Sequence, residues 1–381
     1  MPELYFDNSA TTPVDPRVAD CLRDCCVSCW GNPASLHKKG IEAERMIRKA
    51  AAQIATVLGC DPDEVLFTSG GTESNNLAVI GGSMPKLRRT KKVITSPTEH
   101  PSVLEAVKEL EKSGFEAVFC PVDEFGVPDE EGLLSLVDEQ TAMVSLMLCN
   151  NETGGVTPIV SLAERIKEKN PETLVHCDGV QGFCKVSLPP LSRTKIDLFS
   201  FSGHKLFAPK GTGGLYVAKG TRLLPRMVGG GQQRGLRSGT EPVPLAVCLG
   251  EAVRLAAEER AERLDAVSAV SGRLRTLVSE MAGITVNSPA GGAPHILNLS
   301  VEGVKSEILL HFLESQGAYV SSGSACAGGK ESHVLKAAGL PPKRIGSALR
   351  ISFSHLNTPK EAEQLASLLA EGMKKYKGTL R

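Results

Sequence analysis

Four short stretches of the sequence combine residue types and spacings that could do chemistry. The first is Thr68-Ser-Gly-Gly-Thr-Glu-Ser-Asn-Asn76, where a strand-like run meets a Gly pair and then a helical pattern near Thr72. Gly70 and Gly71 permit a tight turn that exposes backbone N–H groups, and Thr72 adds a hydroxyl, so a phosphate fits there. The same residues also suit an ordinary capped turn, with Thr72 or Ser69 as N-cap. The second is Ser200-Phe-Ser-Gly-His-Lys-Leu206, followed by Pro209-Lys-Gly-Thr-Gly-Gly214. It places Ser202, His204 and Lys205 where a strand ends, the edge at which open α/β sheets bind ligands. A partly desolvated Lys there can form a Schiff base, although a lysine in a polar turn is commonly just a surface group.

The third stretch is His176-Cys-Asp-Gly-Val-Gln181, in which Asp178 closes an apolar strand. A buried Asp needs a cationic partner, which a protonated pyridine nitrogen provides as well as a turn or cap would. The fourth is Ser321-Ser-Gly-Ser-Ala-Cys-Ala-Gly-Gly329, one Cys among small residues in a predicted loop. Reactive thiols are commonly accessible and loop-borne, while a small residue packed in a tight turn is the plainer reading. His100 and Asn151 each follow a predicted strand, and Arg350 lies in an apolar run where it needs an anion, from protein or substrate.

These residues must be positioned by strands and helices. Candidate strands are Val65–Thr68, Lys92–Thr95, Ala117–Pro121, Ala142–Leu148, Leu174–Asp178, Asp197–Phe201 and Gly214–Ala218. Amphipathic stretches between them, clearest at Ser102–Lys112 and Leu162–Lys169, give the alternation of an α/β domain with a mostly parallel sheet. After Pro244, a long helical region is expected from Ala246 to Met281, broken or bent near Ser268–Gly272. Strand-like His295–Val301, helix Lys305–Gln316, strand Ala318–Ser321 and helix Thr358–Tyr376 complete a smaller α+β unit. The expected division is a large domain over residues 16–255 and a small domain of residues 1–15 and 256–381, with the boundary inside a helix.

Composition narrows the function classes. The chain has 381 residues, 41% hydrophobic and 23% charged, enough to bury a core. Basic and acidic residues both number 43, so no net field draws the protein to nucleic acid or to an anionic membrane. Aromatics at 4% argue against a base-stacking platform. No apolar run suits a transmembrane helix, and the start MPELYFDNSATTP shows no basic region followed by an apolar stretch. The eleven cysteines then read as mostly reduced thiols in a cytoplasmic protein. Cys21, Cys25 and Cys29 share a helical face, which reads as core packing, and no metal site is expected.

Phosphate cradle, ring-nitrogen Asp and strand-end Lys in one chain are the set that a pyridoxal phosphate site requires. At this point the sequence resembles the cysteine desulfurases of the nitrogen-fixation and iron–sulfur-cluster type. These belong to the class V aminotransferase branch of fold-type I enzymes dependent on pyridoxal 5'-phosphate (PLP). The resemblance runs through Tyr5-Phe-Asp-Asn-Ser-Ala-Thr-Thr-Pro13, Gly31-Asn-Pro-Ala-Ser35, Thr68–Asn76, Thr98–Pro101 and Asn150–Gly155. It continues through Asp178–Gln181, Ser202–Lys205, Arg237–Thr240, Ser321–Cys326 and Arg350–Phe353.

The resemblance implies a large domain with a mostly parallel seven-stranded sheet, and a smaller α+β domain that carries the Cys loop. It also implies roles. Lys205 carries PLP by an imine and moves the substrate proton; Asp178 pairs with the ring nitrogen and Gln181 with the phenolic oxygen. His100 stacks on the ring and shuttles the thiol proton. Gly71, Thr72, Ser202 and His204 hold the phosphate, joined by Thr240 from the other subunit of a homodimer. Asn151 contacts the ring side and the substrate, Arg350 and Asn32 take the substrate carboxylate, and Cys326 accepts sulfur as a persulfide. The implied reaction turns L-cysteine into L-alanine and delivers sulfur to an acceptor such as an iron–sulfur scaffold or a tRNA-thiolation enzyme. The loop after Cys326 is shorter than the family usually carries, which bears on the acceptor it meets. A selenocysteine lyase, another class V PLP enzyme and a catalytically silent sulfur-transfer scaffold are the alternatives.

Overall fold

The computed structural model describes residues 3–322 and 331–380. The strands are β1 (Leu4–Tyr5), β2 (Val65–Thr68), β3 (Lys92–Thr95), β4 (Glu116–Phe119), β5 (Thr141–Met147) and β6 (Leu174–Asp178). They continue as β7 (Leu198–Ser202), β8 (Gly213–Val217), β9 (Ile284–Val286), β10 (Ile296–Val301), β11 (Ala318–Tyr319) and β12 (Ala348–Ser352). Seven of them form one sheet in the order β2-β8-β7-β6-β5-β3-β4. Only β8 runs against its neighbours there; the β3, β4, β5, β6 and β7 pairings are parallel. This is the mostly parallel α/β sheet expected from the alternating pattern, with every strand within a few residues of its expected place.

Period-two alternation sends successive side chains to opposite faces, and both faces are covered. Phe67, Ile94, Val144, Val175, Phe199 and Tyr216 pack on one face with α2 (Lys38–Leu58), α6 (Ile159–Lys169) and α7 (Val243–Glu258). Their chain neighbours Leu66, Val93, Met143, Leu174, Leu198 and Leu215 pack on the other with α3 (Gly71–Ser83) and α4 (Pro101–Lys112). Burying each such side chain is worth about 1.5–3 kcal/mol, which is why strands this short hold their register. The exposed edge of β2 is covered by a side chain. The Gln233 amide donates to the Phe67 carbonyl at 2.9 Å and accepts from the Phe67 N–H at 2.7 Å, as a neighbouring strand would.

A second core lies apart from the first. The antiparallel sheet β12-β10-β9 and the parallel pair β1-β11 pack with α8 (Arg260–Ser279), α9 (Ser306–Ser315) and α12 (Pro359–Tyr376). Leu4 and Phe6 from the N-terminal strand belong to this core. The expected single helical region from Ala246 to Met281 is corrected here in two respects. It starts at Val243, and it breaks at Glu259 rather than near Ser268–Gly272. Glu259 leaves helical geometry at φ −93° and ψ 10° and pairs with Arg17 at 2.5 Å and Arg263 at 2.7 Å. Across Ser268–Gly272, buried Val267, Val270 and Leu274 keep one face of α8 packed, so the helix continues. Expected boundary position 255 lies inside α7.

Cys25 and Cys29 pack with Ala43 and Val243, Cys21 is half-buried, and Cys29 ends helix Pro16–Ser28. Among the described residues, the cysteines are free, and no group of three or more His, Cys, Asp or Glu could hold a metal ion. No helix among them is long and apolar enough to cross a membrane.

Candidate active site

Strands β5, β6 and β7 end beside one another and open into a cavity of about 300 Å³. Gly71, Thr72, His100, Asn151, Asp178, Gln181, Ser202, His204, Lys205 and Arg350 all line it. These are ten of the expected site residues, drawn from six separate stretches of sequence, all but Arg350 gathered by the parallel sheet.

Lys205 follows β7 in the short turn Gly203–Lys205 and is 9% exposed. Its Nζ donates to the Ala10 carbonyl at 2.7 Å and to the Ser9 carbonyl. Asp178 is the last residue of β6 and is buried. Its carboxylate accepts from the Val180 N–H at 2.9 Å and from Asn75 Nδ2 at 2.7 Å. Burial pushes its pKa up, against the pull of the Val180 hydrogen bond, His100, Asn75 and Lys205. A cation placed against that carboxylate would bring it back down. The turn after Asp178 needs a glycine, because a Cβ on Gly179 would lie 2.0 Å from the Phe199 ring.

His100 caps α4, with Pro101 at the first helical position. Its Nδ1 accepts from the Ser102 N–H at 3.1 Å and lies 2.7 Å from Ser102 Oγ, so the neutral ring carries its proton on Nε2. Burial lowers its pKa, Lys205 and His333 lower it further, and Asp178 opposes them. His204 Nδ1 lies 3.3 Å from Thr11 Oγ1, and burial beside Lys205 lowers its pKa to about 4. Both imidazoles are therefore neutral near pH 7.

The first turn of α3 supplies the anion cradle. Its N-cap is Gly70 at φ 154°, and neither Ser69 nor Thr72 supplies a side-chain cap. Backbone N–H groups of the first turn are left for a ligand, and a Cβ at Gly71 would press on Val180 at 2.7 Å. Ser202 Oγ and Gln181 Oε1 are buried without a hydrogen-bond partner. An open helix N-terminus, an unpartnered hydroxyl, a buried carboxylate and a strand-end lysine fit the phosphate, pyridine nitrogen and aldehyde carbon of PLP.

Arg350, at the centre of β12, reaches the cavity from the small sheet. The sequence left open whether protein or substrate supplies its anion. The structure gives it Asp7 at 2.8 Å and the Asn151 carbonyl at 3.1 Å, and leaves its Nε without a partner. A substrate carboxylate would share the guanidinium with Asp7.

Two expected residues do not line the cavity. Asn32 is exposed between the first two helices, and its Oδ1 accepts from the Ala34 N–H at 3.0 Å. Thr240 is also exposed, on the segment that Arg237 ties to Glu73 at 2.9 Å. Cys326 lies outside the described residues.

Several site residues had no assigned role in the sequence. Asn75 holds Asp178, Ser102 touches both Asn75 and His100, and Asp7 pairs with Arg350. Asn75 and Asp7 lie within the motifs, and Asn75 stands one helical turn past Gly71, which was the available signal. Glu99 is wholly buried: Oε1 accepts from the Met147 N–H at 2.8 Å, Oε2 has no partner, and burial raises its pKa well above the usual range.

The class V aminotransferase family model matches residues 4–365. The chain is 39% identical to a cysteine desulfurase IscS of Pectobacterium atrosepticum, covering 97% of this chain and 92% of that one. Among solved structures, a NifS-like protein superposes with a TM-score of 0.92 at 37% identity, covering 98% of this chain and all of the other. SspA in complex with cysteine superposes with a TM-score of 0.81 at 31% identity, covering 92% and 98%. Members of this family use PLP, and the chain belongs to the class V aminotransferases, in the branch that holds the NifS and IscS cysteine desulfurases.

Proposed function

We propose that this chain is a PLP-dependent cysteine desulfurase that turns L-cysteine into L-alanine and leaves the sulfur on Cys326 as a persulfide. The single observation that carries the reading is the meeting of Lys205, Asp178, His100 and Arg350 in one cavity. A solved relative described as a cysteine complex supports the substrate. Bound in the cavity, PLP supplies the electron sink that acidifies the substrate Cα.

The chain's own residues do the rest. Gly71, Thr72, Ser202 and His204 hold the phosphate, and Gln181 meets the phenolic oxygen. Asp178 keeps a proton on the ring nitrogen, and Asn75 keeps the Asp178 carboxylate aimed. Arg350 holds the substrate carboxylate beside Asn151. Lys205 Nζ moves the Cα proton. Neutral His100, with Nδ1 engaged by Ser102, stacks on the ring and takes the thiol proton. The Cys326 thiolate attacks the substrate sulfur, the carbon–sulfur bond breaks, and its electron pair ends on carbon, which a proton completes as alanine. One thiol and one cysteine thus become one persulfide and one alanine.

The finer readings belong to the same proposal. Residues 16–255 form the PLP-binding domain, and residues 1–15 with 256–381 form the small one; the separate hydrophobic cores support this. The chain acts as a cytoplasmic homodimer in which Thr240 serves the partner's phosphate site. Exposed Trp30, Leu36 and Val228, at 70%, 95% and 80%, supply apolar surface for that contact. The persulfide goes to an acceptor protein, such as an iron–sulfur scaffold or a tRNA-thiolation enzyme. Alanine release from L-cysteine, and sulfide release once a thiol reductant is added to reduce the persulfide, test the reading. Wild type produces both, Cys326→Ala does not, and desulfuration retained in Cys326→Ala overturns it.

A further inference from the structure

Lys205 borders a second, smaller cavity of about 50 Å³ between the large and small cores. Its charged and titratable lining is basic: Lys185, Arg260, Arg263, His295 and His355 face it beside Lys205, and no carboxylate does. The remaining wall is largely apolar, with Phe207 against His355 at 4.7 Å and Arg263 over the Phe207 ring at 5.3 Å.

The cations differ in how they are satisfied. Arg263 is paired with Glu259 at 2.7 Å and lies 3.8 Å from Asp15. Lys185 and Arg260 make no ion pair among the described residues, although both line the cavity. His295 is 3% exposed, and neither ring nitrogen makes a hydrogen bond. The Gln181 carbonyl is near enough to favour its proton slightly, but outside hydrogen-bond geometry. Burial lowers the Lys185 pKa to about 8, opposed only by the thiols of Cys149 and Cys184.

A half-buried ammonium with no ion-pair partner among the described residues and a buried imidazole with no partner are both costly. Water would satisfy the hydrogen bonds but would leave the charge uncompensated. An anion does both. The space holds about four water-sized volumes, which suits one small tetrahedral anion. We propose that this cavity is an oxyanion site, of the sulfate or phosphate class, formed by Lys185, His295 and Arg260. It is distinct from the phosphate cradle at the start of α3, with which it shares only Lys205 as a lining residue.

The test follows the melting temperature of the holoenzyme as sulfate is titrated at constant ionic strength, in wild type and in Lys185→Met. Sulfate stabilises most folds by exclusion from their surface, so the difference between the two proteins is the reading. Wild type shows a saturable rise, and Lys185→Met needs about tenfold more sulfate or shows only the unsaturable part. Equal rises in both proteins overturn the site. Arg260→Met takes the same role should Lys185→Met not fold. A wild-type holoenzyme crystal soaked in selenate gives the second reading. Anomalous selenium signal between Lys185 and His295 supports the site; water alone there, or selenium only elsewhere, overturns it.

Discussion

On one wall of the catalytic cavity, Asp178, Ser202 and Lys205 stand at or just past the ends of the adjacent strands β6 and β7. On the other, Arg350 meets Asn151 and Asp7 through hydrogen bonds that span 199 and 343 positions of the chain. The first wall is set by strand register and by the first turn of α3. The second exists only where the small sheet docks on the large one. The cofactor therefore rests on the wall that local structure fixes, and the substrate carboxylate on the wall that docking assembles. Replacements on the two walls should fail in different ways.

The largest effect is expected on the first wall. Lys205→Ala removes the group that moves the Cα proton and should lower desulfuration by about 10³-fold or more. The visible absorbance of the PLP-loaded protein should be lost with it. Activity near wild type with that absorbance intact would contradict the assignment. Asp178→Asn removes one partner of a buried charge pair and should lower kcat by about 10²–10³-fold. The carboxamide can accept only one of the two hydrogen bonds that the Asp178 oxygens take from the Val180 N–H and Asn75 Nδ2.

The second wall should give a binding defect. Arg350→Lys keeps the charge but loses the fork shared between Asp7, the Asn151 carbonyl and substrate. KM for L-cysteine should rise about 10–100-fold, with a smaller change in kcat. A fall in kcat at unchanged KM would erase the difference between the walls.

Those walls were also unequally legible in the sequence. The strands that carry Asp178 and Lys205 could be read from short β-branched and apolar runs, because burial on both faces leaves that pattern. The break in the long helical region could not: it falls at Glu259, which carries ion pairs to Arg17 and Arg263 and is not a breaker residue. Arg350 could be read as a buried cation in want of an anion, but Asp7 as its partner could not. Nothing local marks a pair whose members stand 343 positions apart in the chain. Asn32 is a related case: its motif is intact, yet within this one chain it is exposed and away from the cavity.

The smallest effect concerns stability. Burial raises the Glu99 pKa, so the folded state takes up its proton more readily than the unfolded chain. Its favourable contribution is full below the ordinary carboxylate range and is lost as pH rises toward the raised value. Glu99→Gln can keep the acceptor for the Met147 N–H without a titrating oxygen. The melting temperature of the apo variant should fall less than that of wild type between pH 4 and pH 8. Parallel curves would show that Glu99 does not carry the pH dependence.

The central claim is tested most directly by mapping sulfur on the intact enzyme after brief exposure to L-cysteine, using peptide mass spectrometry. The account predicts one added sulfur atom on Cys326, none on Cys149 at the cavity wall, and none anywhere in Lys205→Ala. Sulfur appearing on other cysteines while Cys326 stays unmodified would contradict it.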